Sequence, residues 1–195
     1  MIYIFDLGGV IAISEDIEKI YINLEANVDF ETFKKIWWED KDVIDAHLGL
    51  IEDEIVFRKI LKKIKSNVSY KEFVEMFYSK VELHKETINI IYNLKKQNKK
   101  IYLLSNLRKI DFEYFKRFFD TTIFDGLFLS YEMKMLKPHS NIYENVIETL
   151  QCKPSDIYFF DDSLKNVIGA KNCGINALQV TGNEIKELMN SEGLL

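Results

Sequence analysis

Acidic side chains follow two short apolar runs of the sequence. Asp6 comes directly after Ile2–Phe5, and Asp161 and Asp162 come after Ile157–Phe160. Carboxylates that share a site repel one another unless a positive charge neutralises them. Mg²⁺ supplies such a charge, since it prefers oxygen ligands and is held by one or two carboxylates together with phosphate oxygens and water. If the two runs are neighbouring strands, the pattern indicates a cation site that receives a phosphate.

A hydroxyl group and an ammonium group occur in comparable places. Ser105-Asn106 follows a third apolar run, Ile101–Leu104, and Lys137-Pro138 lies in a loop between two further elements. A serine hydroxyl and a neighbouring backbone N–H can hold phosphate oxygens, and a lysine offsets the phosphate charge. Each of these residues alone is weak evidence, because polar residues after a strand are more often turn or helix-cap residues.

Apolar runs alternate with helical periodicity in two parts of the chain, and this alternation predicts a parallel α/β sheet. The predicted strands are Ile2–Phe5, Ile101–Leu104, Leu127–Leu129, Ile157–Phe160 and Ile175–Val180. The predicted helices are Glu86–Gln97, Asp111–Phe119, Ser140–Leu150, Leu164–Asn172 and Asn183–Met189. Strands and helices in alternation form parallel sheets with right-handed crossovers. We therefore predict a Rossmann-like parallel five-stranded sheet flanked by helices, with the functional groups at the carboxyl ends of its strands.

The block from Ser14 to Lys85 has helical periodicity without a strand-like run, and we predict an inserted α-helical cap after strand one. The predicted core is residues 1–13 and 86–195, and the predicted cap is residues 14–85. Of the pair Trp37-Trp38, one ring should lie in the cap interior and the other at its surface or at the pocket mouth. His47 is either a substrate contact or, more often for such a residue, a satisfied or solvated histidine.

Four motifs in order resemble those of the haloacid dehalogenase-like hydrolases. They are Tyr3–Val10 (YIFDLGGV), Leu103–Asn106 (LLSN), Lys137-Pro138 and Phe159–Ser163 (FFDDS). The stretch from Asp161 to Ile175 is also typical of that family. Within the family the chain is similar to small phosphatases of the sugar-1-phosphate type, in which the first motif also reads Asp-Leu-Gly. The four motifs together are far more specific than any one of them.

The resemblance implies roles for the phosphate-binding residues. Asp6 would be the nucleophile that accepts the phosphoryl group as an aspartyl-phosphate, which divides one hard displacement into two easier ones. Ser105 and the Asn106 amide would bind phosphate oxygens. Lys137 would neutralise the charge that spreads over the transferring group.

The resemblance also implies Mg²⁺ as the cofactor. Its ligands would be the Asp6 carboxylate, the Gly8 backbone carbonyl and the acidic pair, with Asp162 as the surer ligand and Asp161 as the less sure one. Gly8 departs from the family pattern, because family phosphatases usually carry an aspartate there that protonates the leaving oxygen. General acid–base catalysis contributes about 10²–10⁴-fold, so another group, water or an undemanding leaving group would have to compensate.

The composition excludes several classes of protein. The chain has 195 residues, 47% hydrophobic and 29% charged, which is ordinary for a globular domain and excludes a disordered chain or a disulfide scaffold. The net charge of −5 argues against nucleic acid as a partner. No apolar run approaches the length of a membrane span, and the first residues do not resemble a signal peptide. We therefore expect a cytoplasmic protein with Cys152 and Cys173 as free thiols.

These observations favour a Mg²⁺-dependent phosphatase that acts on a small phosphorylated metabolite, with a sugar 1-phosphate as the first expectation. Two alternatives stay open. A haloacid dehalogenase also lacks the second aspartate, but it uses no metal, and the pair Asp161-Asp162 favours the phosphatase. A catalytically weak binding or regulatory protein on the same scaffold is favoured by Gly8 and opposed by the intact Asp6, Lys137 and Asp162.

Overall fold

The computed structural model describes residues 1–13, 16–78 and 81–195. Five parallel strands form one sheet in the order β3-β2-β1-β4-β5. The strands are β1 (Ile2–Phe5), β2 (Lys100–Ser105), β3 (Gly126–Leu129), β4 (Ile157–Asp161) and β5 (Asn176–Gln179). The predicted parallel five-stranded sheet is thus confirmed, with strand ends that differ from the expected ones by a residue.

The strand register explains why distant residues meet. Phe5 of the central strand β1 is level with Leu103 on one side and with Phe160 on the other. The residues that follow Phe5 and Phe160 are Asp6 and Asp161, so these two carboxylates leave the sheet at the same height. Parallel strands bring all their carboxyl ends to one edge of the sheet.

Helices cover both faces of the sheet. They are α6 (Lys85–Lys96), α7 (Lys109–Phe115), α8 (Ser130–Met133), α9 (Ser140–Leu150), α10 (Leu164–Asn172) and α11 (Ile185–Ser191). One buried cluster joins one face of the sheet to α6, α7 and α11, and a second cluster joins the other face to α9 and α10. Burial of these apolar surfaces is the main favourable contribution to the stability of the sheet.

Helix α7 begins earlier and ends earlier than the sequence predicts. The carboxylate of Asp111 accepts a hydrogen bond from the backbone N–H of Arg108 at 2.9 Å, so Asp111 belongs to the first turn rather than to the helix start. The helix ends at Phe115, and Phe119 lies beyond it, buried in the core. The capping interaction, which the apolar spacing does not reveal, sets the helix start.

Among the described residues between β1 and α6, five helices form what we call the helical insert. They are α1 (Ile17–Asn23), α2 (Phe30–Glu39), α3 (Lys41–His47), α4 (Asp53–Lys63) and α5 (Tyr70–Tyr78). Their shared interior is aromatic, with the rings of Phe57 and Phe73 4.0 Å apart and the ring of Trp37 stacked on Phe77. A capping box precedes α5, because Ser69 and Glu72 exchange side chain–backbone hydrogen bonds.

Two linker segments connect the helical insert to the sheet and run side by side. The Ile13 N–H donates to the Glu82 carbonyl at 2.8 Å, and the His84 N–H donates to the Ile11 carbonyl at 2.9 Å. The predicted start of the cap, Ser14, lies outside the described residues. The predicted division at 85/86 falls one residue inside α6, so it stays a prediction rather than an observed boundary. In the described ranges, no helix has the length and apolarity needed to cross a membrane.

Candidate active site

Asp6 lies at the centre of the carboxyl-end edge of the sheet and is 7% exposed. Its Oδ1 accepts hydrogen bonds from the Leu7 N–H at 2.7 Å and from the Ser105 hydroxyl at 2.5 Å. The Lys137 ammonium lies 3.0 Å from the same oxygen. Three donors on one oxygen hold the carboxylate in a single orientation.

The surroundings of Asp6 disfavour its charge. Burial raises the pKa of Asp6 to about 6, and the neighbouring Asp161 carboxylate adds to this effect. The positive charge of Lys137 and the hydrogen bond from Ser105 act in the opposite direction and lower the pKa. A further positive charge at this edge would favour the ionised form that a nucleophile requires.

Lys137 is buried between two carboxylates. Its ammonium donates to Asp161 Oδ2 at 2.6 Å and to the Leu104 carbonyl at 3.1 Å, in addition to its contact with Asp6. Burial alone would lower the pKa of Lys137, but the charges of Asp6 and Asp161 outweigh it and raise the pKa. The side chain is therefore a fixed positive charge next to Asp6.

The side chain of Asn106 does not face the same space as the Ser105 hydroxyl. It is bound at both ends to the backbone of Lys137, donating to the Lys137 carbonyl at 2.9 Å and accepting from the Lys137 N–H at 2.9 Å. Because the side-chain amide of Asn106 is occupied in this way, only its backbone N–H could bind a phosphate. That N–H has no protein acceptor among the described residues. The side chain instead positions Lys137, a role that sequence reasoning missed.

Asp161 is fully buried and its oxygens already have donors. Oδ1 accepts from the Ser163 N–H at 2.9 Å and from the Asn166 side chain at 3.0 Å, and Oδ2 accepts from Lys137. Sequence reasoning did not single out Asn166, because an asparagine in the first turn of a helix is common. Its position five residues after Asp161 is the signal that could have identified it.

Asp162 differs from Asp161 in exposure and in contacts. It is exposed, and partial burial of its carboxyl together with the charge of Asp161 raises its pKa. Its carboxylate lies directly over Gly9, where an added Cβ would be 2.3 Å from Asp162 Oδ2. Gly9 also has a φ of +72°, so both space and backbone require glycine there.

The residues present fit a hard divalent cation. One oxygen from each of Asp6, Asp161 and Asp162 lies within 4.8 Å of the others. Within the described ranges, Lys137 is the ammonium paired with this cluster, through Asp6 and Asp161, so the three carboxylates carry an excess of negative charge. The Gly8 carbonyl, two residues after Asp6 in the chain, accepts no hydrogen bond from the described residues and is a neutral oxygen of the kind that such a cation binds.

A cavity of about 530 Å³ lies between the helical insert and the sheet. It begins at Leu7 and Gly8, the two residues after Asp6, and we call it the chamber. Trp37, Trp38 and His47 line it, with Trp37 buried and Trp38 61% exposed. The volume is in the range of small-molecule binding sites.

A buried polar network forms part of the chamber wall. The Arg108 guanidinium binds Asp111 through two nitrogens at 2.9 and 3.0 Å, and the Tyr78 hydroxyl donates to Asp111 at 2.6 Å. His47 approaches the Val43 carbonyl at 3.0 Å, and burial together with Arg108 lowers its pKa to about 4. Sequence reasoning missed Arg108 and Asp111, because their contacts reach from α7 to the helical insert.

Residues 1–174 match the family model described as haloacid dehalogenase-like hydrolase. Among solved structures, the family enzyme BT-2542 from Bacteroides thetaiotaomicron is 25% identical with a TM-score of 0.79, over 96% of this chain and 97% of that chain. The same enzyme has been solved in complex with magnesium and inorganic phosphate, with a TM-score of 0.76 over 93% of this chain and 94% of that chain. The likeness covers both the sheet and the helical insert.

Two further comparisons are more distant or more partial. An L-2-haloacid dehalogenase from Xanthobacter autotrophicus is 18% identical with a TM-score of 0.65, over 100% of this chain and 85% of that chain, which shows a shared fold alone. The sesquiterpene phosphatase AstK from Aspergillus oryzae is 31% identical over 94 residues, 48% of each chain. The match thus spans about half the length of this curated relative.

Proposed function

The chain belongs to the haloacid dehalogenase-like hydrolase family, and on that premise we propose that it is a Mg²⁺-dependent phosphatase of a small phosphorylated metabolite. The reaction would pass through an aspartyl-phosphate on Asp6. The observation that carries the proposal is the environment of Asp6 Oδ1, which Ser105 and Lys137 hold beside the carboxylates of Asp161 and Asp162. The relatives named for magnesium, phosphate and phosphatase activity support the same reaction class.

The donors around Asp6 define how it would react. Oδ1 carries three hydrogen-bond donors, and Oδ2 has none among the described residues, so Oδ2 is the oxygen free to attack phosphorus. The new bond joins Oδ2 to phosphorus while the ester bond to the leaving oxygen breaks. Water then attacks the phosphorus of the aspartyl-phosphate, which regenerates the carboxylate and releases inorganic phosphate.

The remaining residues would stabilise the charge of the transferring group. The Ser105 hydroxyl and the backbone N–H of Asn106 would donate to phosphate oxygens, and Lys137 would offset their negative charge. Asn106 and Asp161 would hold Lys137 in place through its backbone and its ammonium group. Mg²⁺ bound by Asp6, Asp162 and the Gly8 carbonyl, with Asp161 beside them, would reduce the charge of the phosphate and orient it.

Gly8 offers no proton to the leaving group. His47 is the chamber histidine, but with a pKa of about 4 it is neutral at neutral pH, and a neutral imidazole serves better as a base than as an acid. The leaving oxygen would therefore take its proton from water or leave as a stabilised anion. This favours substrates whose leaving groups carry negative charge easily.

A phosphate-release screen tests the proposal. The panel should contain phenyl phosphate, p-nitrophenyl phosphate and a sugar 1-phosphate, the substrate type predicted from the sequence, each assayed with Mg²⁺ and with EDTA. We expect release that requires Mg²⁺ and that Asp6→Asn abolishes, while the matched control Asp156→Asn, an exposed aspartate away from the site, keeps wild-type rates. Release that is equal in EDTA, or that survives in Asp6→Asn, would refute the mechanism.

The dehalogenase alternative gives Asp162 no role, whereas a Mg²⁺-dependent phosphatase would use it as a metal ligand. A metal-free dehalogenase has no use for a third carboxylate beside Asp6, yet the Asp162 carboxylate lies within 4.8 Å of the other two. The same screen should include a 2-haloacid, from which we expect no halide release. A cytoplasmic location and the absence of a nucleic-acid partner stay predictions from composition.

A further inference from the structure

We propose that the chamber selects phosphate esters of an apolar aryl group, such as an alkylated phenol, rather than sugar phosphates. This inference rests on the proposed phosphatase function and names the substrate class for the same site. The chamber starts at Leu7 and Gly8, so an ester whose phosphate lies at Asp6 would extend its organic part into the chamber.

The chamber walls are predominantly aliphatic and aromatic. The helical insert contributes Trp37, Val43 and Ile60, and the opposite side contributes Leu107 and Phe115. All five residues are buried, so they form a fixed apolar surface. Such a surface favours an apolar ligand roughly in proportion to the area that binding removes from water.

The buried polar side chains of the chamber already have hydrogen-bond partners within the protein. Arg108 is paired to Asp111 through two nitrogens, and Tyr78 donates to the same carboxylate. His47 is bonded through Nδ1 to the Val43 carbonyl. This leaves few partners for the several hydroxyl groups of a sugar, and each hydroxyl that loses its water without gaining a partner weakens binding.

The charged residues of the chamber that do not join this network lie on its solvent side. Asp16, Lys19 and Glu82 line the chamber and are exposed. The charged side chains therefore lie at the rim of the chamber, and the apolar side chains form its interior. An organic group of some length would pass the rim and fill the interior, while a compact sugar would meet mainly apolar walls.

A series of para-alkylphenyl phosphates tests this inference, because the alkyl chain lengthens while the leaving-group pKa stays nearly constant. The series is phenyl, para-ethylphenyl, para-butylphenyl and para-hexylphenyl phosphate, with glucose 1-phosphate for comparison. We expect kcat/KM to rise by about fourfold for each methylene group that enters the chamber, until the chamber is filled. We also expect glucose 1-phosphate to be a poorer substrate than the hexylphenyl ester.

A near-isosteric substitution localises the effect. Met76→Gln places an amide in the chamber wall, and Met133→Gln makes the same change at a half-buried methionine packed in the core away from the chamber. Met76→Gln should lower kcat/KM for the hexylphenyl ester about fivefold and leave that for phenyl phosphate within about twofold. Met133→Gln should leave the ratio of the two substrates unchanged.

The outcomes distinguish a failure of this substrate-class inference from a failure of the proposed phosphatase function. If phenyl phosphate is hydrolysed with Mg²⁺ and Asp6 but the rate does not rise with chain length, or glucose 1-phosphate is the better substrate, the phosphatase stands and the apolar chamber is wrong. An equal loss for both substrates in Met76→Gln would likewise overturn the chamber assignment. If no ester is hydrolysed at all, the proposed function itself fails.

Discussion

The ammonium of Lys137 donates to Asp161 Oδ2 at 2.6 Å, and the two side chains are 1% and 0% exposed. Asp161 is therefore the buried counter-ion of Lys137, and Asp162 has no such partner in the part of the chain that the structure describes. This difference divides the acidic pair into one residue that positions the lysine and one that faces the proposed cation. It also makes the stability of the protein depend on the lysine of the proposed site.

We expect Lys137→Met to destabilise the protein as well as to inactivate it. The substitution leaves the buried carboxylates of Asp6 and Asp161 without their positive partner, which should lower the free energy of unfolding by about 3–5 kcal/mol. Urea unfolding at neutral pH without metal measures it. Lys100→Met is the control, since Lys100 is 63% exposed in its pair with Asp125 and its loss should change the stability little. Equal effects of the two substitutions would contradict the buried pair.

Asn106→Ala should reduce activity by displacing Lys137. The substitution removes both hydrogen bonds to the Lys137 backbone, worth about 1–3 kcal/mol in unfolding free energy. We expect kcat to fall more than KM changes, because the lysine charge is needed most in the transition state. Asn176→Ala removes one side chain–carbonyl bond, to Ser155, at the far edge of the sheet and should leave kcat unchanged. An unchanged kcat in Asn106→Ala would remove its positioning role.

His47 should make the protein less stable in mild acid. Its pKa is about 4 in the folded chain and 6.5 when unperturbed, so the unfolded chain binds more protons between these values. The contribution of His47 to the free energy of unfolding should therefore be complete above pH 6.5 and should be lost as the pH falls towards 4, a decrease of about 3 kcal/mol. Urea unfolding of wild type and His47→Gln across that window isolates the contribution. Parallel curves for the two proteins would show that His47 is not buried in its neutral form.

Because Gly8 cannot donate a proton, the rate at which Asp6 is phosphorylated should depend on the pKa of the leaving group. With no acid at position 8, phosphorylation of Asp6 should slow steeply as the leaving-group pKa rises, and Gly8→Asp should flatten that dependence. Gly8 does not have the left-handed backbone conformation of Gly9, so an aspartate is compatible with its backbone. Single-turnover rates across aryl and alkyl phosphates measure the slope. A flat wild-type series would mean that another residue already donates the proton, with His47 the first to test.

The sheet edge could be predicted from the sequence because it follows from local patterns. Short apolar runs ending in Asp6, Ser105 and Asp161 imply strands, and parallel strands place their carboxyl ends together. Placing these strand ends at one edge of the sheet requires no knowledge of side-chain contacts. The α/β class, and the proximity of these residues at one edge of the sheet, can therefore be predicted from the sequence.

The supporting contacts could not be predicted in this way. The bond between Asn106 and Lys137 joins residues 31 apart, and the Tyr78–Asp111 bond joins residues 33 apart. Such contacts depend on how loops and helices pack rather than on periodicity. The sequence therefore indicated the charges of the site but not the residues that hold them.

Transfer of the phosphoryl group to Asp6 can be measured directly. Wild-type protein should be mixed with Mg²⁺ and excess phenyl phosphate, quenched in acid within a single turnover, digested and examined by mass spectrometry. We expect one added phosphoryl group on Asp6 in the N-terminal peptide, absent in EDTA and in Asp6→Asn. Phenol release from the wild type with no label on Asp6, or with the label on another residue, would contradict it.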